Sequence, residues 1–159
     1  MASDILAPTP ETPLYAPTRI FAFSGRLNPV RYLMWTSITG LTTVGLLWVL
    51  FSASSPTGPA YLVLMLGACA GGVLGVRRVM DIGWPWWLYG MIFIPLLGTF
   101  FSLIIIGHPG TKGANQYGLP TKPATGVEIA VSVLCLIVGI FTVFQFASSP
   151  AGERFFRML

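Results

Sequence analysis

Two long stretches of this chain contain no formally charged side chain and no histidine. No Lys, Arg, Asp, Glu or His occurs from Tyr32 to Val76, and none occurs from Ile82 to Gly107. Such stretches cannot form the outside of a domain dissolved in water. They hold apolar runs of about 20 residues, the length a helix needs to cross the core of a bilayer. Between them lies one polar island, Val76-Arg77-Arg78-Val79-Met80-Asp81-Ile82-Gly83-Trp84-Pro85-Trp86-Trp87. Two arginines, an aspartate and three tryptophans are thus gathered where the chain must turn at a membrane surface.

Composition points the same way. The chain is 54% hydrophobic and 9% charged, against about 25% charged residues in soluble domains. The net charge of +4 comes from arginines and lysines at the flanks of the apolar runs. There they orient helices and meet anionic headgroups, and no motif for reading nucleic acid accompanies them. Cys69 and Cys135 both fall inside apolar runs, where cysteine behaves as a small hydrophobe rather than as part of a disulfide framework.

Taken in order, residues 1–17 read as a disordered tail, because Pro8, Pro10, Pro13 and Pro17 prevent a regular helix. The tail lacks the basic start and apolar core of a signal peptide, so the first span is expected to be an uncleaved anchor. Thr18 to Ser24 is short, aromatic and basic, suited either to the interface or to an ordinary linker. Asn28 before Pro29 fits a helix start, with Asn as cap and Pro at the first helical position. Spans are expected at about 30–51, 60–79, 86–106 and 127–146 within a membrane domain of residues 18–147, followed by a short cytoplasmic tail, 148–159. Thr125 and Glu128 form a capping box for the last span. The first span is rich in Ser and Thr, whose hydroxyls can bond back to carbonyls of their own helix or to a neighbour. In the second, Gly67, Gly71 and Gly75 lie along one stripe and suggest a helix-packing face.

The third segment carries Ile94-Pro95-Leu96-Leu97-Gly98 near its middle. Pro95 cannot complete the helical hydrogen-bond pattern. The segment is therefore either one kinked span, about 31 Å long at 1.5 Å per residue, or a hairpin that enters and leaves on one side. The distribution of Lys and Arg puts the N-terminus and the Arg77/Arg78 pair in the cytoplasm under either arrangement. Because the segment is long enough to cross, the expected fold is an all-α integral membrane protein, a four-transmembrane-helix bundle with a Pro-kinked third helix.

Three blocks of the sequence resemble, in order and spacing, the DUF805 family of bacterial inner-membrane proteins. Phe23-Ser24-Gly25-Arg26 followed by Tyr32 is similar to its first block. Arg77-Arg78-x-x-Asp81-x-Gly83 leading to Trp86-Trp87 is similar to its second, and Gly110-x-x-Gly113-x-Asn115-x-Tyr117-Gly118-x-Pro120 to its third. The chain departs from the pattern at Met80, where members usually have His, and at Pro29 and Arg31, where they usually have another Arg and a Glu. The resemblance implies a location in the bacterial inner (cytoplasmic) membrane and a multi-pass architecture, but no activity. Some proteins of this general kind lie beside toxin genes, which suggests an immunity role.

Arg77, Arg78 and Asp81 are the main candidates for a site that binds a lipid headgroup or a protein partner, with Asn115 and Tyr117 joining them if the third segment is a hairpin. The bland alternative is a topological anchor with a local ion pair, Asp81 pairing with whichever arginine lies three or four residues before it. No nucleophile–base pair or phosphate-binding glycine loop is visible, and the single histidine, His108, has no companions for a metal site. The expectation is therefore a non-catalytic protein without cofactor or metal. Its partners would be the lipid bilayer and a membrane protein, which could be a membrane-active toxin or a second copy. The alternative is a small lipid-headgroup-binding or pore-forming protein.

Overall fold

The computed structural model describes residues 15, 25–53 and 57–158. The tail, the segment Thr18 to Ser24 and Phe23 of the first family block lie outside the described residues. The elements are α1 (Pro29–Ser52), α2 (Thr57–Ile82), a 3-10 helix (Trp86–Phe93), α3 (Leu97–Gly107), α4 (Gly126–Ala147) and α5 (Pro150–Phe156). The regular elements of the described residues are all helical, and the loops between them carry only isolated bridge residues, such as the pair Asn115 and Gly118. Three helices, α1, α2 and α4, are long and apolar enough to cross a membrane, and α3 is a shorter apolar helix.

The helix starts follow from local chemistry. The Asn28 side chain accepts from the backbone N–H of Arg31 at 2.8 Å, with Pro29 in the first turn. Thr125 and Glu128 cap α4 reciprocally, each side chain accepting the other's backbone N–H. Within α1, Thr36, Thr42 and Thr43 donate to carbonyls three or four residues back. These hydroxyls are thereby satisfied inside an apolar helix.

α1 is the central strut. α2 packs along one side of it and α4 along another, and the backbone of α4 comes close to neither α2 nor α3. α2 runs antiparallel to α1, so its last residues reach the end where α1 begins, here the near end. α4 is parallel to α1. At the near end Arg31 donates to Glu128 at 2.7 and 3.1 Å, and the Asn28 side chain donates to the carbonyl of Lys122. At the far end Phe51 packs edge to face on Phe155, Phe146 tilts against Trp48 and Phe155, and Arg154 donates to the carbonyl of Phe51. Residues 148–158, with α5, therefore lie at the opposite end from the start of α1. The helix-packing glycines separate. Gly67 meets Thr43 of α1, Gly75 meets the ring of Tyr89, and Gly71 faces open space.

The third apolar segment is not one kinked helix. It descends as the 3-10 helix, turns at 94–97 and returns as α3. Both limbs lie over α1 and α2, and Leu88, Tyr89, Phe101 and Ile105 pack with Tyr32, Trp35, Leu74 and Val79. The turn has steric causes. Pro95 has no N–H to continue a helix. Leu96 is the only described non-glycine residue with positive φ, at 67°. Gly98 lies against the carbonyl of Ile92 so closely that a Cβ would overlap it, and its N–H is bonded to the Ile94 carbonyl at 2.7 Å. Gly98→Ala should therefore open the turn and destabilise the hairpin by about 1–3 kcal/mol, the usual cost of overpacking. Gly90→Ala, at a position with open space, should leave stability nearly unchanged. Unfolding midpoints in mixed micelles measure both.

Candidate functional site

The polar island folds as the last turns of α2 and the glycine that ends it. Gly83 has φ 94°. Its N–H bonds to the Met80 carbonyl and that of Trp84 to the Val79 carbonyl, the pair of bonds that closes a helix through a left-handed residue, for which glycine is suited. Trp84 then stacks on Phe101 and tilts against His108, at ring separations of 6.2 and 5.8 Å. The chain therefore leaves α2 beside the point to which α3 returns.

Asp81 lies at the centre of this junction, 1% exposed. One carboxylate oxygen accepts from Arg26 Nε at 2.9 Å and the other from Arg78 at 2.6 Å. The two guanidinium groups do not stop there. Arg26 also donates to the carbonyls of Gly113 and Gly118, at 2.5 and 3.5 Å, and to that of Thr111. Arg78 donates to the carbonyl of Ile105 at 2.8 Å and to that of His108. The backbone of Asp81 takes part as well, its carbonyl accepting both the N–H and the hydroxyl of Thr111 at 3.0 Å. One buried carboxylate and two arginines thus hold the end of α2, the end of α3 and the loop that follows.

The loop is shaped for this role. Gly110 lies directly on the Asp81 carboxylate, and a Cβ there would overlap it. Asn115 donates to the Met80 carbonyl and to the Thr111 hydroxyl, both at 2.9 Å. Its side-chain oxygen accepts the N–H of Tyr117, and its backbone pairs with Gly118, which has φ 127°.

Of the residues singled out in the sequence, Arg78 and Asp81 pair directly, Asn115 joins the same helix end through the Met80 carbonyl, and Tyr117 is bonded to Asn115. Arg77 is buried on the same turn of α2 but shares no described bond with Asp81. The partner that sequence reasoning missed is Arg26. Arg31 with Glu128 was missed too. A signal was available: between residues 12 and 152 the chain has only two acids, Asp81 and Glu128. Buried arginines in that range have no other carboxylates to meet.

The arrangement defines an all-helical membrane protein in which a folded-back hairpin is fastened to the end of a long helix by a buried ionic latch. The chain belongs to DUF805, a family described as of unknown function, whose model matches residues 20–119. No curated protein and no solved structure gives a match. The match covers the latch and ends before α4. All three family blocks supply it: Arg26 from the first, Arg78, Asp81 and Gly83 from the second, Gly110, Asn115 and Gly118 from the third.

Removing one member of a buried ion pair leaves the rest uncompensated, at a cost of about 3–5 kcal/mol. Asp81→Asn should therefore destabilise the protein by that order and free the loop. Arg26→Lys should free it too, since an ammonium cannot reproduce the planar fork that spans Asp81 and three carbonyls. Lys112→Ala, at an exposed residue, should do neither. Limited proteolysis of residues 108–120 in each purified variant gives the comparison.

Proposed function

We propose that the protein is a non-catalytic, multi-pass protein of the bacterial inner membrane that works by apolar contact with a partner inside the bilayer. One observation carries this reading. The polar groups of the latch are turned inward onto one another, with Arg78 and Asp81 0% and 1% exposed, while the long helices present wide apolar faces. α4 is the clearest case. Its close backbone neighbours are α1 and α5, and it exposes Ile137, Ile140, Phe141 and Phe144 by 60–68%. A specific form of the reading is neutralisation of a membrane-active toxin by helix–helix contact. Headgroup binding by Arg77, Arg78 and Asp81 finds less support, because the hydrogen-bonding capacity of Arg78 and Asp81 is directed to the protein's own carbonyls and arginines.

The accompanying topology is three crossings, by α1, α2 and α4, with the hairpin entering and leaving on the cytoplasmic side. α3 has 11 residues, about 16 Å of helix, or half of a core about 30 Å thick. Its apolar tip would then lie near mid-membrane, with Trp86 and Trp87 at the headgroups. The near end collects Arg26, Arg31, Arg77, Arg78, Lys112 and Lys122, with Arg19 close in sequence, and the far end Arg154 and Arg157. This bias favours a cytoplasmic near end and an external C-terminus.

Both parts can be tested in cells. In a background lacking Cys69 and Cys135, Ala114→Cys should be shielded from an impermeant maleimide outside, and Arg157→Cys should react with it. Ala114→Cys labelled from outside, with Arg157→Cys protected, would mean four crossings. A photo-crosslinking residue at position 137 should capture a membrane protein, and Phe141→Lys should abolish that capture. Failure to rescue growth when co-expressed with a neighbouring toxin rejects the immunity form.

A further inference from the structure

The near end holds most of the chain's basic residues, but its arginines are turned inward. Arg26, Arg31, Arg77 and Arg78 are all buried. The two acids there, Asp81 and Glu128, are both paired with arginines. The basic side chains left at the surface are those of Lys112 and Lys122, both exposed, and no described acid pairs with either. The backbone that carries each lysine is fastened to the segment 26–31. Thr111 and Gly113, on either side of Lys112, offer their carbonyls to Arg26. Thr111 is also bonded to the Asp81 carbonyl through its N–H and its hydroxyl. The Lys122 carbonyl accepts from Asn28 at 3.1 Å and from Arg31 at 3.2 Å. Two outward charges are thus carried on backbone that the buried network holds in place.

We propose that Lys112 and Lys122 hold the phosphodiester groups of anionic phospholipids in the cytoplasmic leaflet. The choice of leaflet rests on the topology proposed above, and nothing in the inference rests on the partner of α4. Charge and depth select the occupant. With both acids committed to arginines, no neighbouring carboxylate offsets the lysines, and an ammonium is a compact point charge suited to phosphate. Depth follows from the tryptophans. Gly83 stands beside Thr111 and Asn115, and its carbonyl accepts from Gln116 at 3.4 Å. Trp86 and Trp87 follow within four residues and are 59% and 62% exposed. Indole rings gather at the headgroup level, so the loop that carries Lys112 lies beside the phosphates. A soluble acidic partner would need a surface clear of that layer. The buried latch therefore has an outward consequence, because its bonds to carbonyls 111 and 113 fix the place of an exposed charge.

The test uses the full-length protein in mixed micelles containing equimolar phosphatidylglycerol and phosphatidylethanolamine, read by native mass spectrometry. A lysine near an anionic surface contributes on the order of 1 kcal/mol, about fivefold in binding, so phosphatidylglycerol should be retained at least about fivefold over phosphatidylethanolamine. The double variant Lys112→Ala/Lys122→Ala should lose that preference while its unfolding midpoint stays unchanged, since neither side chain enters the latch. Lys112→Gln/Lys122→Gln takes its place if the alanine variant does not fold. Adding Ala114→Lys to the double variant returns one charge two residues along the loop and should not restore the preference. Phosphatidylglycerol with a diazirine in its headgroup should cross-link to residues 108–122. A preference that survives the double variant, or returns in full with Ala114→Lys, would mean general attraction to basic charge and overturn the proposal. Displacement of the lipid by soluble glycerophosphoglycerol at the same concentration would mean a site for free phosphodiester and overturn it too. So would cross-links in cells from Lys112 to an acidic protein. The maleimide pattern of Ala114→Cys and Arg157→Cys decides the leaflet and the preference in micelles decides the contact, so the topology and the lipid site fail separately.

Discussion

A single carboxylate holds the near end of this molecule together. Asp81 is almost fully buried and joined to two arginines, Arg26 from before α1 and Arg78 from its own helix. A buried ion pair is often no better for stability than a well-packed apolar substitute. Its value here lies in what the arginines do with their remaining donors. The end of α3 and the loop after it present a row of backbone carbonyls, at residues 105, 108, 111 and 113, that accept from these guanidinium groups and from no described backbone N–H. Buried carbonyls without donors are costly, and more so near lipid, where water is scarce. The guanidinium groups supply those donors, and Asp81 makes it affordable to bury them. Ion pair and backbone satisfaction are one device.

The geometry of the device explains residues that would otherwise look like loop filler. Gly110 is small because the carboxylate is there. Gly83 takes the left-handed conformation that ends α2 where Trp84 can turn toward α3. Asn115 reaches the last carbonyls of α2, one of the groups a helix end leaves without an internal partner. Met80 is half-buried at the junction, and only its backbone carbonyl is used. The latch thus closes without any bond from the side chain at position 80.

Much of this was legible in the sequence. The first charge-free run gives α1 and most of α2, the apolar run after Glu128 gives α4, Asn28-Pro29 gives the start of α1, and Thr125 with Glu128 gives that of α4. These are local rules, and the residues that obey them lie within a few positions of each other. The fold of residues 86–107 was not legible in the same way. Pro95 is compatible with a kink and with a turn, the segment is long enough to cross, and the count of basic residues on the two sides is seven to two under both arrangements. What separates them is the left-handed Leu96, the contact of Gly98 with Ile92 and, above all, bonds from Arg26 to residues 85 to 92 positions later. Those bonds link three sequence blocks that are separately weak, and no periodicity announces them. Scarcity of acids did point to the pairs: with only Asp81 and Glu128 available over most of the chain, each had to serve the arginines near it.

The same scarcity shows how the architecture is divided. Arg26 and Arg31 stand five residues apart at the start of α1, and each is committed to one of the two acids. Arg26 fastens the hairpin and its loop through Asp81, whereas Arg31 fastens α4 through Glu128, with Asn28 between them donating to the Lys122 carbonyl of the connecting chain. The short segment 26–31 is therefore a common bar to which two later parts of the chain are tied separately. The family match ends at residue 119, between those two attachments. α4 can then be understood as a helix docked on the side of α1 that the hairpin does not use, held by an ion pair of its own at the near end and by aromatic packing at the far end. Arg31, through Glu128, is the residue that makes this second attachment.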